Sequence, residues 1–148
     1  MKYKNKNLLF IKSTLAKHGL SRTNFRTELL DLFYSYDNIS LSVDDILKHF
    51  NNSIDKVTVY RSLTSFENKG LIHIVPDANN LKRYSLCREN TCNTISHDHN
   101  HGHFICYSCN QTFCLDEFKV PNPEFIKGFH IEQLKLTAEG YCQDCNKN

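Results

Sequence analysis

Apolar residues return every three or four positions through the first seventy residues, the period of helices with one buried face. Leu8, Ile11 and Leu15 predict a short amphipathic helix that stops at His18-Gly19. Phe25, Leu29, Leu32 and Phe33 form the next stripe, with Thr23 as its candidate N-cap. Asp37 to Ser40 reads as a turn. Ser42 then caps a third helix carrying Val43, Ile46, Leu47 and Phe50, which ends at Asn51-Asn52. The fourth segment runs from Ser53, its candidate cap, to Gly70, with Asp55 in its first turn. Val59, Leu63 and Phe66 share one face of it, and Val57, Tyr60, Arg61 and Thr64 another. The β-branched run Val57-Thr58-Val59-Tyr60 makes a strand the rival assignment, but length and caps favour a helix.

After Gly70 the pattern changes. Leu71 to Val75 and Leu81 to Cys87 read as strands joined by the turn Pro76 to Asn80. Three or four helices followed by a hairpin is the pattern of a winged helix-turn-helix, whose last helix enters the major groove. Further on, His103 to Tyr107 and Thr112 to Leu115 are predicted strands around a turn at Asn110-Gln111. A short helix starts at Val120 to Phe125 and ends at Gly128. Phe129 to Ala138 is predicted as a long strand, with a possible bulge between Ile131 and Leu134. The expected class is α+β: a winged-helix domain over residues 1–86 and a smaller domain over residues 87–148.

Charge and cysteine placement support that division. The chain has 148 residues and a net charge of only +2, but residues 1–86 hold thirteen Lys and Arg against eight Asp and Glu, and residues 87–148 hold five against eight. The first part is therefore the side suited to nucleic acid. All seven cysteines and five of the eight histidines fall in the second part. An odd cysteine number fits reduced thiols and metal ligands better than a disulfide framework, which suggests the cytoplasm. There is no apolar run long enough for a membrane span, and Leu8 to Ile11 is too short for a signal-peptide core.

The candidate chemistry lies between Ser96 and Cys109 and at the C-terminus. Cys106-x-x-Cys109 and Cys142-x-x-Cys145 offer four thiolates, the ligand set of a closed structural zinc site; two disulfides or two redox dithiols are the rival readings. Some sixty residues bury little core alone, so such a zinc would staple the second domain. His97, His99, His101 and His103 alternate, which in an extended chain puts all four on one face. The run could scavenge metal from solvent, but its junction with Cys106 favours a second, exchangeable metal site. On the fourth helix Arg61 is suited to a bidentate guanine contact, Tyr60 to a thymine methyl or a phosphate, and Thr58 and Lys56 to the DNA backbone.

With these residues in hand, the chain resembles the ferric uptake regulator family of metal-dependent repressors. The likeness rests on Gly19-Leu20-Ser21-Arg22-Thr23 with Arg26, and on Thr58-Val59-Tyr60-Arg61-Ser62-Leu63. It continues through Phe66 to Ile72, His101-Gly-His-Phe-Ile-Cys106-x-x-Cys109 and Gly140-Tyr-Cys142-x-x-Cys145. The resemblance implies an N-terminal winged helix, a C-terminal α/β dimerisation domain, a structural four-cysteine zinc and a regulatory metal near the hinge. It also implies homodimers on palindromic operator DNA, with Arg22 as a minor-groove contact. His73 and Cys87 stand where the zinc-sensing branch has regulatory ligands, and Cys114 where the family usually has a carboxylate. The regulatory zinc is therefore expected on His73, Cys87, His101 and His103, with His99 and Cys114 in reserve. Thiolate favours zinc over iron(II) or manganese(II), so a zinc-responsive repressor is expected, with an iron(II)- or peroxide-sensing repressor of the same family as its rival.

Two other classes are separable. A zinc hydrolase needs an open site with a general base, and the chain has neither His-Glu-x-x-His nor a glutamate beside the histidine run. No enzyme and no small-molecule substrate is expected. A zinc store or carrier would use the same ligands but has no use for Thr58 to Leu63 on a helix.

Overall fold

The computed structural model describes residues 7–36, 38–87, 101–121, 126–132 and 134–147. The elements run α1 (Leu8–Lys17), α2 (Asn24–Tyr36), β1 (Leu41–Ser42), α3 (Val43–His49), α4 (Lys56–Asn68), β2 (Ile72–Val75), β3 (Arg83–Leu86), β4 (His101–Cys106), β5 (Thr112–Lys119) and β6 (Thr137–Gly140). They form two lobes, each with its own three-stranded sheet.

The first lobe is a winged helix. Its helix ends are set by local hydrogen bonding. Ser42 accepts from the Asp45 amide while the Asp45 carboxylate accepts from the Ser42 amide, a complete capping box. Asp55 caps α4 by accepting from both the amide and the hydroxyl of Thr58. The expected cap, Ser53, instead turns its hydroxyl back to the Phe50 carbonyl, so α4 starts later than predicted. Gly70 ends α4 at φ +72°, a left-handed conformation that costs glycine nothing, with the Leu71 amide donating back to the Phe66 carbonyl at 2.9 Å. Ile11, Leu15, Leu29, Leu30, Phe33, Ile46, Val59, Leu63, Phe66 and Ile72 pack into one core at 1% exposure or less. The wing is not a bare hairpin. Two-residue β1 pairs with β3, giving the order β1-β3-β2.

The second lobe has the order β5-β4-β6. β4 pairs antiparallel with β5 and parallel with β6. The predicted strand over 129–138 shrinks to β6 at 137–140. Phe129 is 74% exposed, so alternation there had no sheet face to bury. Residues 122–125 of the predicted short helix lie outside the described residues. Among the described residues of this lobe few apolar side chains are buried, whereas Tyr107, Phe118, Ile126, Leu134 and Tyr141 are exposed. No helix among the described residues is long and apolar enough to cross a membrane.

Candidate metal centres and nucleic-acid face

The four-cysteine group follows from the parallel pairing. Cys106 at the end of β4 is in register with Gly140 at the end of β6, so both Cys-x-x-Cys turns leave the same end of the sheet. Cys106, Cys109, Cys142 and Cys145 then converge, with every pair of sulfurs within 4.8 Å. Cys109 Sγ and Cys142 Sγ are 3.9 Å apart, far beyond the ~2.05 Å of a disulfide. They are close to the ~3.8 Å edge of a tetrahedron whose corners lie ~2.3 Å from a zinc ion. The Cys109 backbone amide draws the Cys106 thiol down to about 6, while burial and the neighbouring thiols push Cys109 up to about 12. A divalent cation bound by thiolates takes up the charge that such a cluster would otherwise concentrate. The donor set and its spacing fit zinc.

The second group spans the lobes. His73, on β2 of the wing, pairs across the sheet with Ser85 on β3. In the other lobe His103 on β4 pairs with Cys114 on β5. These two pairs meet face to face: Cys114 Sγ is 3.5 Å from His73 Nε2 and 3.4 Å from the Ser85 hydroxyl. His101, two residues before His103 on β4, joins from the same face. The His73 ring lies 5.3 Å from that of His101 and 5.8 Å from that of His103. One ligand atom from each of His73, His101, His103 and Cys114 lies within 4.8 Å of all the others. A nitrogen and a sulfur on one tetrahedral zinc are separated by roughly 3.5 Å, the spacing found between His73 and Cys114.

This grouping differs from the expected one. Cys114, the reserve, sits among the histidines. Cys87 is 3.6 Å from Nδ1 of His73, on the opposite side of the ring from Cys114. Cys87 is not among the four groups that converge within 4.8 Å of one another. His99 lies outside the described residues.

The candidates for DNA contact lie on α4 and in the turn before α2. Lys56, Val57, Tyr60, Arg61 and Thr64 are exposed along α4, with Tyr60 at 43% and Val57 at 58%. Thr58 is half-buried and its hydroxyl donates to the capping Asp55, which ties it into the helix start before any DNA contact. Arg22 is exposed in the turn before α2, beside Arg26, which donates to Ser21 and to Ser65 on α4. That pair of bonds ties the turn to the helix. An exposed apolar residue such as Val57 at a helix N-terminus is suited to a thymine methyl.

A winged helix, a second lobe in which four cysteines converge, and an imidazole–thiol cluster between the two describe a class of metal-dependent regulators. Residues 17–139 match the ferric uptake regulator family, and the chain belongs to it. A ferric uptake regulation protein of Bordetella parapertussis is 30% identical over 145 residues, covering 91% of this chain and 96% of its own. That of Synechococcus elongatus is 29% identical over 149 residues, covering 93% and 94%. Among solved structures, the ferric uptake regulator of Francisella tularensis with iron has a TM-score of 0.58 at 28% identity, covering 86% of this chain and 95% of that one. A zinc uptake regulator complexed with zinc and DNA has a TM-score of 0.61 at 23% identity, covering 93% and 91%, a likeness of fold.

Proposed function

We propose that this protein is a zinc-responsive transcriptional repressor of the cytoplasm that binds palindromic operator DNA as a metal-loaded homodimer. The observation that carries the reading is the split ligand set: His73 belongs to the wing, and His101, His103 and Cys114 belong to the other lobe. When bound, zinc supplies a rigid four-bond junction there. His73 then holds the wing sheet at one angle to β4 and β5. In a dimer, that angle sets the distance between the two copies of α4, and only one distance matches two half-sites on the same face of a duplex. Tyr60, Arg61 and Val57 meet base edges, while Lys56, Arg22 and Thr58 orient the helix on the backbone. The exposed Phe118, Leu134 and Tyr141 of the second lobe supply apolar surface for the partner copy. The four-cysteine zinc keeps that lobe folded and takes no part in sensing.

Iron(II) is the second reading, favoured by the relatives' names and by the iron-bound regulator from Francisella tularensis. Against it stands the Cys114 thiol, a soft donor that prefers zinc to iron(II) or manganese(II). The test is operator binding on protein whose four-cysteine site is already filled, titrated with buffered zinc, iron(II) and manganese(II). Zinc alone should drive binding at sub-micromolar free metal. A response to iron(II) at lower occupancy than zinc transfers the assignment to iron, and no response to any metal removes it.

A further inference from the structure

We infer that Arg83 and Gln111 form a second clasp between the lobes, one that needs no metal and is thermodynamically coupled to the metal cluster. Arg83 on β3 is only 8% exposed. A guanidinium this deep is stable only when its donors are satisfied. Its Nε donates to the Ser40 hydroxyl and its Nη2 to the Ser40 carbonyl, both at 2.9 Å. Nη2 also lies 3.0 Å from the Asp45 carboxylate, so its two hydrogens are shared among three acceptors, and Asp77 lies 3.9 Å from Nε. All of these belong to the first lobe. The remaining partner does not: Nη2 donates at 2.9 Å to Oε1 of Gln111, in the turn between β4 and β5.

Gln111 is the start of a seam. The Thr112 hydroxyl donates to the Pro76 carbonyl at 2.7 Å, the Ser40 amide donates to the Thr112 carbonyl at 3.2 Å, and Ile39 bridges Phe113. The clasp and the metal cluster share two strands. Arg83 and Ser85 are two apart on β3, and Thr112 and Cys114 are two apart on β5, so each pair lies on one face of its strand. An arrangement that docks Thr112 on Pro76 therefore also presents Cys114 to His73. The clasp biases the docked arrangement before any metal arrives, and metal binding must in turn strengthen the clasp, because coupling between two sites is reciprocal.

The inference rests on the regulatory reading of the cluster, but its test needs no DNA. Full-length protein with zinc in the four-cysteine site is titrated with cobalt(II), followed by its visible absorption. Gln111→Ala should weaken cobalt(II) binding at the cluster between about 5- and 150-fold, the usual range of site-to-site coupling. The band positions should not move, because no ligand has changed. Thr112→Val, which removes one hydroxyl at constant shape, should weaken binding in the same direction and stands in if Gln111→Ala fails to fold. Affinities within twofold of the wild type in the folded variants overturn the clasp. So does a shifted spectrum, which would make Gln111 part of the ligand environment. Failure of wild-type protein to grip its operator with zinc is a separate result, and overturns the regulatory reading alone.

Discussion

His73 is the one member of the cluster supplied by the wing, and its removal separates metal affinity from metal response. A structural zinc on four protein ligands contributes about 10–16 kcal/mol, so one ligand of four carries on the order of 3–4 kcal/mol. His73→Ala should therefore weaken zinc binding at the cluster on the order of 100- to 1,000-fold. His101→Ala removes an equivalent imidazole and should weaken it by a comparable factor. The two variants diverge once zinc is raised to saturation. With His101 gone, His73 and Cys114 still join the lobes, and zinc restores operator binding. With His73 gone, the remaining ligands His101, His103 and Cys114 all lie on β4 and β5, so the ion has almost no preference between docked and undocked lobes. A ligand without such a preference shifts nothing, however tightly it binds. Fluorescence anisotropy of a labelled operator against buffered zinc reads both effects: a right-shifted curve of full amplitude for His101→Ala, and a flat one for His73→Ala. Full amplitude for His73→Ala at high zinc would refute the reasoning, because the coupling would then have another route.

Other substitutions test the chemistry of individual groups. Cys114→Asp exchanges a soft donor for a hard one and should lower zinc affinity while raising relative affinity for manganese(II), read by competition with a chromogenic chelator. Cys87→Ala should leave the cobalt(II) thiolate charge-transfer band of the cluster intact and reduce affinity roughly 10- to 100-fold, as loss of an outer partner of a ligating histidine does. Disappearance of the band on Cys87→Ala would make Cys87 a ligand. Asp55 is held below the ordinary carboxylate range by the Thr58 hydroxyl and amide. Its contribution to folding is then complete above the ordinary carboxylate pKa and is lost as pH falls through the depressed folded value. Thermal melts of wild type and Asp55→Ala should differ at neutral pH and converge in acid.

Much of this was legible in the residue order, for physical reasons. The four helices announce themselves because each combines a 3.6-residue stripe with a cap or a glycine stop, as with Ser42 and Gly70. The cysteine cluster is legible because a Cys-x-x-Cys spacing admits few geometries. Other features depend on long-range register and left no local mark. β1 is too short to show a pattern, and the parallel partnership of β4 with β6 joins segments some thirty residues apart. The convergence of Cys114, rather than Cys87, with His101 and His103 turns on which edge of the His73 imidazole faces the other lobe. Spacing cannot reveal that, although the position of Cys114 in place of a usual carboxylate was a signal. Arg83 counts in the sequence as one more basic residue near the wing, yet the fold buries it at the seam. Sequence reading missed Arg83, Gln111 and Ser85 for the same reason: their partners in the other lobe lie 28 or 29 residues away.

The bridging ion can be tested directly by cadmium substitution. Protein loaded with cadmium-113 and carrying nitrogen-15 histidine should show two cadmium resonances, one in the all-sulfur range and one in the mixed nitrogen–sulfur range. The second should couple to the ring nitrogens of His73, His101 and His103 together. Coupling to His101 and His103 without His73 would contradict the account, because the ion would then belong to one lobe and could not set the angle of the other.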